Sequence, residues 1–165
     1  MKLQWHIFIS IALFFFLTQL LLFPHIEIAN TSPQLFLILL TYLSLNLAIP
    51  ETFLVSFFLG IMVDMGSCER IGMFCLFFSI GSFIILKLRK ETFTEEPLWA
   101  IALVFFIVLQ CNFFHACTLF ILNRYEFRLE LILKIFLCAF YTAIISPFVF
   151  CFLDKSSLLK ISQKL

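Results

Sequence analysis

The stretch from Gln34 to Met65, QLFLILLTYLSLNLAIPETFLVSFFLGIMVDM, carries a single charged side chain, Glu51, before Asp64. It reads as two apolar runs broken by Pro50-Glu51. The first, Gln34 to Ile49, has Thr41, Tyr42, Ser44 and Asn46 interspersed and reads as the second membrane span. The second, Thr52 to Met65, reaches only about 21 Å at 1.5 Å per residue, short of the roughly 30 Å of hydrocarbon a transmembrane helix crosses. It therefore either spans a thinned or protein-covered region or re-enters as a half-helix. Working outward, His6 to Phe23, Arg70 to Leu88, Leu98 to Leu122 and Leu131 to Leu153 are apolar runs of spanning length. The expected fold is an all-helical integral membrane protein of about six transmembrane helices, one of them short or re-entrant, forming a single polytopic domain over residues 1–165.

Composition demands the same class. Of the 165 residues, 63% are hydrophobic and 13% charged, against roughly 45–50% and about 25% in soluble domains. Mean hydropathy is +1.12. With 11 Lys+Arg and 10 Asp+Glu, the chain cannot coat a water-facing surface. The net charge of +1 excludes the concentrated basic face that nucleic-acid binding requires. Of the six Cys, only Cys68 falls in an expected loop, so a disulfide framework is not indicated. Phe occurs 25 times, an excess that spanning alone does not explain. The N-terminal apolar run is longer than the core of a cleavable signal and is followed by Pro24, His25 and Glu27 without a small-residue cleavage site, so it reads as a retained first helix.

Basic residues orient the spans. Six spans with a cytoplasmic N-terminus put Lys2, Lys87, Arg89, Lys90, Lys155, Lys160 and Lys164 inside and Arg70, Arg124 and Arg128 outside; five spans separate the charges less well. Both termini are thus expected in the cytoplasm. The loop from Lys87 to Pro97, with Glu91, Glu95 and Glu96, reads as an interfacial anchor or as a docking surface. Lys134, near the start of the last span, has a stem long enough to bring its ammonium to the interface.

An ionised carboxylate costs roughly 2.5–3.5 kcal/mol at a helix centre, so Asp64 is the first functional candidate. Gly60 lies four residues before it on the same helix face, where a neighbouring helix can approach closely. Gly66 and Gly72 bracket a turn into the next span. Asp64 either ends the helix at the interface, solvated and paired with Arg70, or couples to a partner or small ligand. Gln110, Asn112 and His115 form a polar group in the fifth span, as interhelical hydrogen-bond glue or as one wall of a pocket. Cys111 and His115 supply two potential metal ligands, which do not make a site. Pro147, after Ser146, removes a backbone hydrogen bond in the last span and forms either a hinge or a fixed kink. Pro33 precedes the second span, where its fixed backbone suits a helix start. No phosphate-binding, metalloprotease or nucleophile-elbow motif occurs, and no cofactor, metal or catalytic residue is expected.

The order of these features resembles the bacterial rod shape-determining MreD family: a first helix, Ser32-Pro33-Gln34 opening an apolar run, Gly60-x-x-x-Asp64, Gly72, then a basic loop and two long spans. Two departures stand out. The family usually has Pro-Asp where this chain has Pro33-Gln34, and more small residues than Phe53 to Leu59 supply. The resemblance implies a non-enzymatic inner-membrane scaffold subunit of the cell-wall elongation complex. Its implied partners are an MreC-like bitopic protein and, through it, an MreB-like filament, a RodA-like glycosyltransferase and a penicillin-binding transpeptidase, all set in membrane lipid. The family's layout also resembles the substrate-binding S-components of vitamin transporters, which leaves a small-molecule-binding transporter subunit as the alternative.

Overall fold

The computed structural model describes residues 2–3, 5–21, 31–66, 72–91, 97–121, 129–155 and 159–160. These form six helices: α1 (Trp5–Leu21), α2 (Leu35–Asn46), α3 (Ile49–Gly66), α4 (Met73–Glu91), α5 (Pro97–Ile121) and α6 (Leu129–Lys155). Two short strands, β1 (Lys2–Leu3) and β2 (Leu159–Lys160), pair antiparallel and bring the two ends of the chain together. Arg70, Arg124 and Arg128, Cys68, Glu95 and Glu96, Lys164 and the segment with Pro24, His25 and Glu27 lie outside the described residues.

The short helix is α2, not the run from Thr52. Pro50 and Glu51 do not interrupt; they occupy the first turn of α3, which extends to 18 residues. A proline there loses no intrahelical hydrogen bond, and Glu51 sits at the positive end of the helix dipole. Among the described residues, helix α3 is one of three stretches long and apolar enough to cross a membrane, with Leu98–Ile121 and Glu130–Lys155. Helix α2 has only 12 residues, about 18 Å. Every residue from Leu35 to Ser44 is buried, because α2 is the hub against which all five other helices pack.

A helix that ends inside a bundle cannot leave its terminal backbone groups to lipid. At the carboxyl end of α2, the Arg89 guanidinium donates to the Leu47 carbonyl at 2.8 Å. At its amino end, the Gln34 N–H donates to Thr142 Oγ1 at 3.2 Å. Pro147 is accommodated by the same logic. It leaves the Ala143 carbonyl without its usual N–H, and the Ser146 hydroxyl donates to that oxygen at 2.8 Å. Thr41, Ser79, Ser82, Thr118 and Thr142 likewise turn their hydroxyls back onto carbonyls four residues earlier.

Small side chains recur on the faces that α3 and α6 turn inward, whereas the hub α2 buries mostly large ones. The buried face of α6 carries Cys138, Ala139, Thr142, Ala143 and Ser146, and that of α3 carries Thr52, Ser56 and Gly60. Between helices in lipid, close packing rather than water release supplies the attraction, so small residues belong there. The outward faces are correspondingly large and apolar: Leu13, Phe14, Phe57, Phe83, Phe106, Phe140 and Phe148 are all exposed. A continuous apolar exterior of this kind requires a nonpolar solvent. Much of the phenylalanine excess thus belongs to the exterior.

Tyr42 ties the hub to α6, donating to Asp154 Oδ1 at 2.6 Å while its ring packs 5.7 Å from that of Phe150. Tyr42→Phe keeps the ring contact and loses the bond. Because Asp154 is exposed, the expected cost is about 1 kcal/mol or less, read as a small fall in the unfolding midpoint of the detergent-solubilised protein. A large fall would mean that this contact holds the hub itself.

Candidate functional site

Asp64 lies in the last turn of α3 and is 3% exposed. The carboxylate is thus buried rather than solvated, and the expected pairing with Arg70 lies outside the described residues. Its Oδ2 accepts the Gly72 N–H at 2.9 Å and its Oδ1 accepts the Phe74 N–H at 3.1 Å. These amides open α4, so a carboxylate from the preceding helix caps the amino terminus of the next one. An anion there meets both the unpaired N–H groups and the positive end of the helix dipole, which makes burial of the carboxylate affordable. The Cys75 Sγ lies 3.3 Å from Oδ2 on the same side.

Gly60 makes this geometry possible. A Cβ at that position would stand 2.5 Å from the Cys75 Cα and 2.8 Å from its N, closer than any side chain can sit to a backbone. One helical turn separates Gly60 from Asp64, so the pair grips a single turn of α4: the glycine lets the backbone in and the carboxylate seizes its free amides. Gly72 has φ +102, a conformation that L side chains rarely adopt, and its N–H points to Asp64. Gly66 plays a lesser part; its added Cβ would meet only the Phe16 ring, at 3.1 Å.

A second polar group gathers at the start of α2. Pro33 is buried there, and Gln34 follows it as the residue before the helix without capping it through its side chain. Instead Gln34 Nε2 donates to Asn112 Oδ1 on α5 at 2.8 Å. The Ser32 carbonyl faces the Cys138 thiol at 3.3 Å. His115 stacks on Phe74 with ring centroids 5.2 Å apart. Asn112 and His115 line a cleft of about 250 Å³ with Thr31, Ser32, Gln34 and Lys134; Gln110 does not border it. Among the described residues no cluster of three or more His, Cys, Asp or Glu is placed to hold a metal ion.

Sequence reading missed the partners of Arg89, Tyr42 and Gln34. Beside Lys87 and Lys90 in sequence Arg89 reads as an interfacial anchor, yet it donates to the end of α2. The available signal was the shortness of that helix once Pro50 is assigned to the next one, since a short buried helix needs a donor for its last carbonyls.

Helices bonded to one another through backbone caps, small-residue seams and an apolar exterior define an all-helical membrane protein. Within that class the particular family is shown by the chain as a whole. A model of the rod shape-determining protein MreD matches residues 1–156, and the chain belongs to that family. Its role is accordingly in determining rod shape, and the family is not one of known enzymes. No curated protein and no solved structure gives a significant match.

Proposed function

We propose that the chain is a non-enzymatic scaffold of the inner membrane that holds partners of the cell-wall elongation complex in fixed positions for peptidoglycan synthesis. The observation that carries this reading is the α3–α4 clasp. The carboxylate that stood out in the sequence as a candidate for chemistry has both oxygens engaged with backbone amides. A side chain so used serves to make a rigid helix pair, which is what a scaffold presents to neighbouring helices. Gly60, Asp64, Gly66, Gly72 and Pro33 then act by shaping that surface rather than by touching a substrate.

The bundle crosses the membrane six times in this reading, with both termini in the cytoplasm. Three observations support it: β1 pairs with β2, the carboxyl end of α2 meets Arg89 near the end of α4, and Tyr42 meets Asp154 near the end of α6. Successive helices therefore run in alternate directions, and Arg89 and Lys155 gather at the end that holds the chain termini. An MreC-like bitopic protein is the direct partner, with an MreB-like filament, a RodA-like glycosyltransferase and a penicillin-binding transpeptidase reached through it. Confinement in one plane raises their effective concentration without new chemistry.

Co-purification of the MreC-like partner, together with cell shape, tests the reading. Asp64→Ala, compared at matched membrane levels, is expected to lose most of the partner and to round the cells. Unchanged recovery and rod shape would sink it. The cleft beside Asn112 favours one other reading, a subunit that binds a small molecule for transport. Strong thermal stabilisation by one compound of a vitamin panel would support that instead.

A further inference from the structure

The cleft at the start of α2 has a chemistry of its own, separate from the clasp. Its polar lining mixes amides, hydroxyls and the His115 ring, and among the described residues Lys134 is its one fully charged side chain and no carboxylate borders it. Asn112 uses its Oδ1 to accept from Gln34, and its buried Nδ2 finds no oxygen acceptor among the described residues, with only the weakly accepting Cys138 thiol nearby. A buried amide N–H in an apolar medium is costly unless a ligand oxygen completes it. The remaining wall is aliphatic, from Leu119, Leu131 and Ile135.

Depth sharpens the assignment. Lys134 is five residues from the start of α6, about 7.5 Å along the helix, whereas Asn112 is nine residues from the end of α5, about 13.5 Å. The cation thus stands nearer the membrane surface and the uncompensated amide deeper, with the apolar wall between helices beside them. The order of cation and deeper amide matches the phosphate and the ester carbonyl below it in an anionic phospholipid, and the aliphatic side chains beside them give its apolar part a surface to pack on. Free phosphate has no apolar part to set against the aliphatic wall.

We propose that this cleft, between the start of α2 and the facing parts of α5 and α6, is a binding site for an anionic phospholipid. The Lys134 ammonium takes its phosphate and Asn112 Nδ2 an ester carbonyl. The site lies at the end of the bundle opposite the chain termini. An occupant there packs against Gln34 and so against the amino end of the hub helix, which couples lipid binding to the position of α2.

Native mass spectrometry of the purified full chain, released from mixed micelles with equal phosphatidylglycerol and phosphatidylcholine, tests the site. One phosphatidylglycerol per chain is expected to be retained over phosphatidylcholine by about fivefold, the preference one lysine confers near a charged lipid. Lys134→Gln is expected to reduce that ratio to about one, and Lys134→Arg to keep it. Lys134 is exposed, so both variants should fold, and equal unfolding midpoints in neutral detergent verify this. An undiminished preference in Lys134→Gln overturns the proposal. So does displacement of the lipid by millimolar inorganic phosphate or by a water-soluble vitamin, since either would make the cleft a site for a small solute.

Discussion

Gly60→Ala is expected to destabilise the protein by about 3 kcal/mol, at the upper end of what overpacking costs. The added methyl meets the Cys75 Cα at 2.5 Å and its N at 2.8 Å. Neither atom can rotate away, so α3 and α4 must separate along the seam they share. Separation also lengthens the two hydrogen bonds from Asp64 one turn further on, so the loss exceeds that of a single contact. Gly81→Ala provides the control. Its Cβ would meet the Ile107 side chain at 3.6 Å and the Cys111 Sγ at 4.0 Å, which is ordinary contact. The change there should be neutral or stabilising by up to about 1 kcal/mol through helix propensity. Unfolding midpoints of both variants in the same detergent make the comparison. Equal midpoints would mean that the close approach at Gly60 does not hold the pair together.

Asp64→Ala removes the buried acceptor of two amides. Each unsatisfied donor costs about 1–3 kcal/mol, and losing a helix cap in solution costs about 0.5–2 kcal/mol, so a total of about 2–4 kcal/mol is expected. Asp64→Asn keeps one acceptor oxygen and should lose about half as much. Hydrogen exchange localises the effect: the Gly72 and Phe74 amides should exchange much faster in Asp64→Ala, while those in the middle of α6 keep their protection. Unaltered exchange at these two amides would show that the carboxylate is not their acceptor. Because Gly60 and Asp64 act on one turn of α4, the double variant should cost less than the sum of the two singles.

These two residues show how far the sequence can be read. Gly60 and Asp64, four apart in an apolar run, are identifiable as sharing a helix face, and the carboxylate is identifiable as costly. What the carboxylate bonds to is not, because its partners are backbone amides and any residue but proline at positions 72 and 74 carries the same N–H. Arg89 is similar: a guanidinium among lysines looks like an anchor until the carbonyl it meets is located on α2. The three-residue spacing of Asn112 and His115 puts them on one helix face, whereas Gln34 and Lys134, which complete their surroundings, come from distant parts of the chain.

Hydrophobic content and run lengths by themselves determined that the chain is helical and lives in lipid, since its few charges cannot cover a surface in water and backbone groups in hydrocarbon must pair within each segment. They also located its apolar runs to within a few residues. Which run lies at the centre was decided by tertiary structure alone. In a nonpolar solvent a lipid-facing helix and a protein-buried one can have much the same composition, and only the burial of every side from Leu35 to Ser44 and the capping of ends that fall inside the bundle distinguish α2 from the helices around it.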